Sequence, residues 1–257
     1  MKNTKNVRYS ISLLVLGLCV LSWVLLVINP GNIMTVAHCH ITMQGPSQAS
    51  LQMLLQMNPP SGMMAGWLLM VLAMMLPKLI TPIQYICERS LKRLRWRLAL
   101  LFVSGYVAVW FAVGVVMNGV ILGVNLLMPM SYIPALVVGI IALIWQFSPV
   151  KQRCLNRGHD HRPLAAFGWR AHRDALLFGS AHGVWCVGSG WALMLFPMLL
   201  HTGHNVAMLA VTFVMVSEHM EHPKFPRWHF SLRLKLLRII IAQTNIRLKM
   251  ARLMAPR

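Results

Sequence analysis

Residues Gly62 to Ile86 read GMMAGWLLMVLAMMLPKLITPIQYI. Lys78 carries the one formal charge in this run, and the rest is apolar, small or weakly polar. Crossing the hydrocarbon core of a bilayer as a helix takes about 20 mostly apolar residues, so the run is expected to be a membrane span. Pro77, Lys78 and Pro82 sit in its later half. Lys78 lies roughly 12 Å from the near end at 1.5 Å per residue. It is expected to snorkel or to pair with an acid inside a helical bundle.

The rest of the chain agrees with that solvent. Of 257 residues, 57% are apolar and 11% charged, with a mean hydropathy of +0.62. A soluble domain carries about 25% charge, so too few polar groups remain to cover a water-facing surface, and a disordered chain is excluded. Five further candidate spans follow: Ile11–Ile28, Leu98–Met128, Pro134–Phe147, Ala175–Leu200 and Asn205–Met220. The Pro134 and Asn205 spans are short and call for extension or local bilayer thinning. Ile11–Ile28 is long for a signal peptide and no Ala-x-Ala site follows it, so a retained span is expected. Five cysteines without repeated spacing give no disulfide framework.

The net charge of +19 is distributed by position. Twenty-three of the 24 Lys and Arg residues fall before the first span, between the second and third, between the fourth and fifth, or after the sixth. Residues 29–61, 129–133 and 201–204 contain no Lys, Arg, Asp or Glu. This alternation is the positive-inside pattern. The expected fold is an all-α polytopic membrane bundle of about six helices with both termini cytoplasmic. Residues 1–29 are expected to form the first span, 30–61 a periplasmic loop, 62–221 a five-helix core and 222–257 a cytoplasmic tail. From Phe230 to Met254 the tail mixes leucine and isoleucine with cations. That reads as a basic amphipathic helix lying on the anionic inner leaflet, and nucleic acid is not expected as a partner.

Chemistry inside a membrane concentrates where something compensates for burying polar groups. Met63, Met70, Met74 and Pro77 share one helical face. His182 and Cys186, at i and i+4, share another, and His204, Met208, Met215 and His222 form a stripe. The outer loop adds His38, Cys39, His40 and Met43, and His201 stands three residues before His204. Thioether, imidazole and thiolate together select Cu(I) and other soft metals. His38, Cys39, His40, His201 and His204 are candidates for outer capture. Met70, Met74, His182 and Cys186 are candidates for holding an ion at mid-membrane, with His182 and Glu218 as an inner polar pair. Packing alone also accounts for a methionine stripe. Cys154, His159 and His161 match no standard zinc spacing and are read as a solvated basic loop. No phosphate loop or nucleophile elbow is present, and the five acidic residues lie on or near the cytoplasmic side. No enzymatic reaction is expected.

Several segments resemble an uncharacterised bacterial family of predicted metal-binding integral membrane proteins. Trp67 to Pro77 resembles its W-x-x-M-x-x-A-M-M-x-P signature, and Gly105-Tyr106 with Trp110 its G-Y-x-x-x-W. Gln146, Pro149, Lys151 and Cys154-Leu155 resemble Q-x-x-P-x-K-x-x-C-L. His182-Gly183, Cys186, Gly188 and Trp191 to Met194 resemble H-G-x-x-C-x-G-x-x-W-A-L-M, and Glu218 the acid near the end of the last span. The resemblance covers residues 62 to about 223. Members often carry two further cysteines. Here Ser189-Gly190 precede Trp191 and Gly158 follows the Cys-Leu pair, so the resemblance implies a site weighted to His and Met.

The expected function is to bind a soft metal, copper foremost, from the periplasmic side of a bacterial inner membrane, for delivery to or assembly of another membrane or periplasmic metalloprotein. A metal-free structural subunit of a membrane complex and a small-solute or ion transporter are the alternatives. Reporter fusions after residues 45 and 160 should report opposite faces of the membrane. The same face for both overturns the span count.

Overall fold

The computed structural model describes residues 2–28, 48–128, 131–228 and 235–254, with side chains from Val7 to Arg247 within those ranges. The described residues contain no strand. They form α1 (Lys2–Ile28), α2 (Gln48–Met57), α3 (Pro60–Arg89), α4 (Arg95–Leu127), α5 (Ile133–Phe147), α6 (Pro149–Arg157), α7 (Gly168–Met198), α8 (His204–His219) and α9 (Lys235–Met254). The all-α expectation holds. Within the expected outer loop, residues 48–57 are helical.

Among the described residues, three helices are long and apolar enough to cross a membrane: Val7–Ile28 of α1, α3 and α4. The expected fourth span is shorter and bent. α5 ends at Ser148, whose hydroxyl accepts from the Val150 N–H, and the chain turns by 67° into α6. Pro149 at the start of α6 explains the break, because proline disfavours helical backbone in the residue before it and opens a new helix well. Counted together, the bent pair raises the number to four. α7 has the length of a span, but its run from Gly179 to Trp191 is rich in glycine and serine and carries His182. It is the central helix, packed on α4, α5, α6 and α8. α8, with 16 residues, is short for a span.

The most extensive pairing is α4 with α7, followed by α1 with α3 and α3 with α4. Close approach of α4 and α7 depends on a missing side chain. A Cβ on Gly179 would lie 2.0 Å from the Phe102 carbonyl oxygen. The α3–α4 contact is keyed by Trp67, fully buried, whose Nε1 donates to the Trp110 carbonyl at 2.9 Å. α1 is fastened to α3 by the Arg8–Glu88 ion pair at one end and by Gln84 Nε2 donating to Ser12 Oγ at 3.0 Å. Outward faces carry large apolar side chains, including Leu14 and Leu21 on α1, Val116 on α4 and Leu136, Ile140 and Leu143 on α5.

Gly179→Val should lower the thermal unfolding midpoint of the detergent-purified protein, since overpacking typically costs about 1–3 kcal/mol. Gly123→Val serves as the control, because a Cβ there meets nothing within 4 Å. Equal midpoints for the two variants would refute the close α4–α7 contact.

Candidate metal site

The site begins with the two prolines inside α3. Proline has no N–H, so the carbonyl four residues earlier loses its helical donor. Pro77 frees the Ala73 carbonyl, and Cys19 of α1 donates its thiol to that oxygen at 3.1 Å. Pro82 frees the Lys78 carbonyl, and the His219 ring of α8 hydrogen-bonds to the backbone of Lys78. This second bond holds the C-terminal end of α8 against the middle of α3.

A cavity of about 10 Å³, room for one water-sized particle, lies beside it. Its walls include Lys78 of α3, Cys154 of α6, His182 and Cys186 of α7 and His219 of α8. Cys186 Sγ is its most contacted donor. Tyr106 Oη donates to it at 3.2 Å, Met75 Sδ lies 3.8 Å away, and the buried Lys78 ammonium stands 4.0 Å away. Lys78 therefore neither snorkels nor pairs with an acid; its head group faces a sulfur. The His182 ring lies among Phe102, Tyr106 and Phe178, and meets His219 edge-on at 6.5 Å between centroids. Cys154 reaches the cavity because position 188 is glycine: a Cβ there would lie 2.6 Å from Cys154 Sγ.

α6 is set in place by a buried ion pair. Lys151 Nζ lies 2.9 Å from Glu218 Oε2, with side-chain exposures of 0% and 2%. Gln146 completes the group, accepting from Lys151 and donating to Glu218. Unpaired charges at this depth would be costly, so the pair commits α6 and α8 to each other. His159 adds a second tie, with its ring nitrogens 2.9 Å from the Leu155 and His219 carbonyl oxygens. The ring also stacks on His219 at 5.0 Å.

The residues anticipated from sequence divide among several places. His182 and Cys186 line the cavity together. Met70 and Met74 are fully buried in the main core, and it is Met75 that touches Cys186. The ion pair of Glu218 is with Lys151, where sequence pairs it with His182. His201 and His204 stand at the start of α8, fifteen or more residues before His219, or about 22 Å at 1.5 Å per residue. His201 packs edge-on against Tyr132 at 5.3 Å, and the buried Nε2 of His204 has no hydrogen-bond partner among the described residues. His38, Cys39 and His40 lie outside the described residues. Cys154, read from sequence as part of a solvated loop, is buried, and His219 was not singled out as a ligand. Proline at position 82 is the sequence signal for His219, because it leaves the Lys78 carbonyl in search of a donor. Among the described residues, no three His, Cys, Asp or Glu side chains are gathered closely enough to hold a metal ion as they stand.

The structure thus defines a class: an all-helical bundle with an internal space lined by two thiols and two imidazoles. The family model PpoB2, described as a copper chaperone, matches residues 64–230, and the chain belongs to that family. Comparison with curated proteins and with solved structures finds no match.

Breaking the Lys151–Glu218 pair on one side should destabilise the protein by about 3–5 kcal/mol. Lys151→Met is the test. Lys151→Met combined with Glu218→Met should recover much of the loss, read as the unfolding midpoint in detergent. A double variant no more stable than the single one would mean that the pair is not what joins α6 to α8.

Proposed function

We propose that this protein is a membrane-embedded copper chaperone of a bacterial inner membrane. It holds Cu(I) in the cavity walled by Cys154, His182, Cys186 and His219, and passes it to another membrane or periplasmic metalloprotein without catalysing a reaction. The observation that carries this reading is the cavity itself. Two thiols and two imidazoles line a space the size of one small particle, with the Met75 thioether against Cys186, and those donor types are the ones that select Cu(I). Membership of a copper chaperone family supports the choice of metal.

The membrane setting rests on α1, α3 and α4, each long and apolar enough to span, and on the large apolar side chains along the outward faces. Such surface would be a liability in water and is ordinary in hydrocarbon. The six-span topology adds the α5–α6 pair, α7 and α8 to these three helices. His201 and His204 form a second donor group at the opposite end of α8, and Met70 and Met74 lie in the core beside α3's contact residue Met75.

Purified protein loaded anaerobically with Cu(I) should retain about one copper per chain, measured by elemental analysis after desalting. Cys186→Ala should weaken binding by at least about tenfold, since even outer-shell partners are worth that much. His204→Ala should leave the stoichiometry intact. No retained copper in the wild-type protein moves the balance to a metal-free structural subunit. Loss in His204→Ala with none in Cys186→Ala places the metal at the other end.

A further inference from the structure

A second cavity, of about 380 Å³, adjoins the first. Its lining includes Pro77, Lys78, Thr81, His161, Val216 and His219. Lys78, Gly158 and His219 line both spaces, so the two share a wall. The larger space belongs to the end of the bundle where the basic connectors gather. His161 is exposed there and packs edge-on against Tyr85 at 4.6 Å, and Tyr85 Oη donates to the Arg162 carbonyl at 3.1 Å. α9 is tied to the same end, with Lys235 Nζ donating to the Met220 carbonyl at 2.6 Å and the Leu236 N–H to Ser217 Oγ at 3.0 Å.

Among the described residues, the other direction is tightly packed. Between the small cavity and the start of α8, the interior is filled by Met194, Met208 and Met215, all at most 1% exposed. Met215 leaves no slack, because its methyl lies 2.2 Å from where a Cβ on Gly190 would sit. An ion leaving Cys186 toward His204 would have to cross this packed methionine layer. Toward the basic end it meets a space far larger than itself.

We propose that copper(I) enters and leaves the Cys186 cavity through the larger space beside Thr81 and His161. The site then exchanges metal with the membrane face that carries the basic connectors, which is the cytoplasmic face by the positive-inside rule. This rests on the copper binding proposed above, gives it a route and a side, and limits the recipient to one reached from that face. The route runs opposite to capture by His201 and His204.

Protein loaded with Cu(I) is reconstituted into liposomes, and protease added outside counts the fraction whose basic C-terminal tail faces outward. Bathocuproine disulfonate, a charged Cu(I) chelator that does not cross the bilayer, is then added outside under reducing conditions. The fraction of copper removed should equal the fraction of tails facing outward. Removal from the opposite population, or from both alike, overturns the route while leaving the binding reading intact. Absence of bound copper before reconstitution brings down both.

Thr81→Trp, which fills the larger space, should slow removal at least tenfold at unchanged copper content. Thr202→Trp, at the far end, should not slow it. The reverse order of effects overturns the route. Where Thr81→Trp fails to fold by circular dichroism, the orientation measurement on the wild-type protein decides alone.

Discussion

A helix in apolar surroundings must find a protein partner for every backbone polar group, because no water is at hand to take one. α3 violates that condition twice by carrying Pro77 and Pro82 in its interior. The remedy in each case is a side chain from another helix: the Cys19 thiol for Ala73 and the His219 ring for Lys78. These two bonds bind α1 and α8 to α3 at specified heights. His219 stands beside Lys78 and lines the cavity together with Cys186 and His182.

The charges inside the bundle follow the same logic. Lys151 and Glu218 are both buried, and each compensates for the other's loss of water, with Gln146 bridging them. Their pairing turns a sharp break at Pro149 into a defined position for α6, and so delivers Cys154 to the gap above Gly188. Lys78 differs in having a sulfur, not a carboxylate, near its ammonium. The cavity it borders is lined by two thiols and two imidazoles, ligand types that Cu(I) selects. Its donors line the space without closing on a single point. His159 is tied to the end of α8 through its ring, whose nitrogens each lie 2.9 Å from a backbone carbonyl oxygen.

The two ends of α8 differ in chemistry. His201 and His204 cluster at its start, and His219 ends it beside the thiols. A packed methionine layer separates them. Methionine is suited to this role, since its flexible thioether fills irregular gaps between helices of unlike shape. Met70 and Met74, the candidate ligands on α3, are packed in the core, and it is their neighbour Met75, not among the candidates, that also meets Cys186.

Hydropathy and charge placement were enough to establish the helical class and the three clearest long helices, because both report the solvent around each segment and need no knowledge of neighbours. Helical spacing also put His182 and Cys186, four residues apart, on one helix face. What sequence could not determine was any contact between helices. It paired Glu218 with His182, where the ion pair of Glu218 is with Lys151. It assigned Cys154 to a solvated loop, and it overlooked the bend of 67° after which α6 packs on α7. Helical periodicity fixes which residues share a face but is silent on which face meets which. That was decided in three dimensions, by the two carbonyls that Pro77 and Pro82 leave open and by the single depth at which Lys151 and Glu218 can neutralise each other.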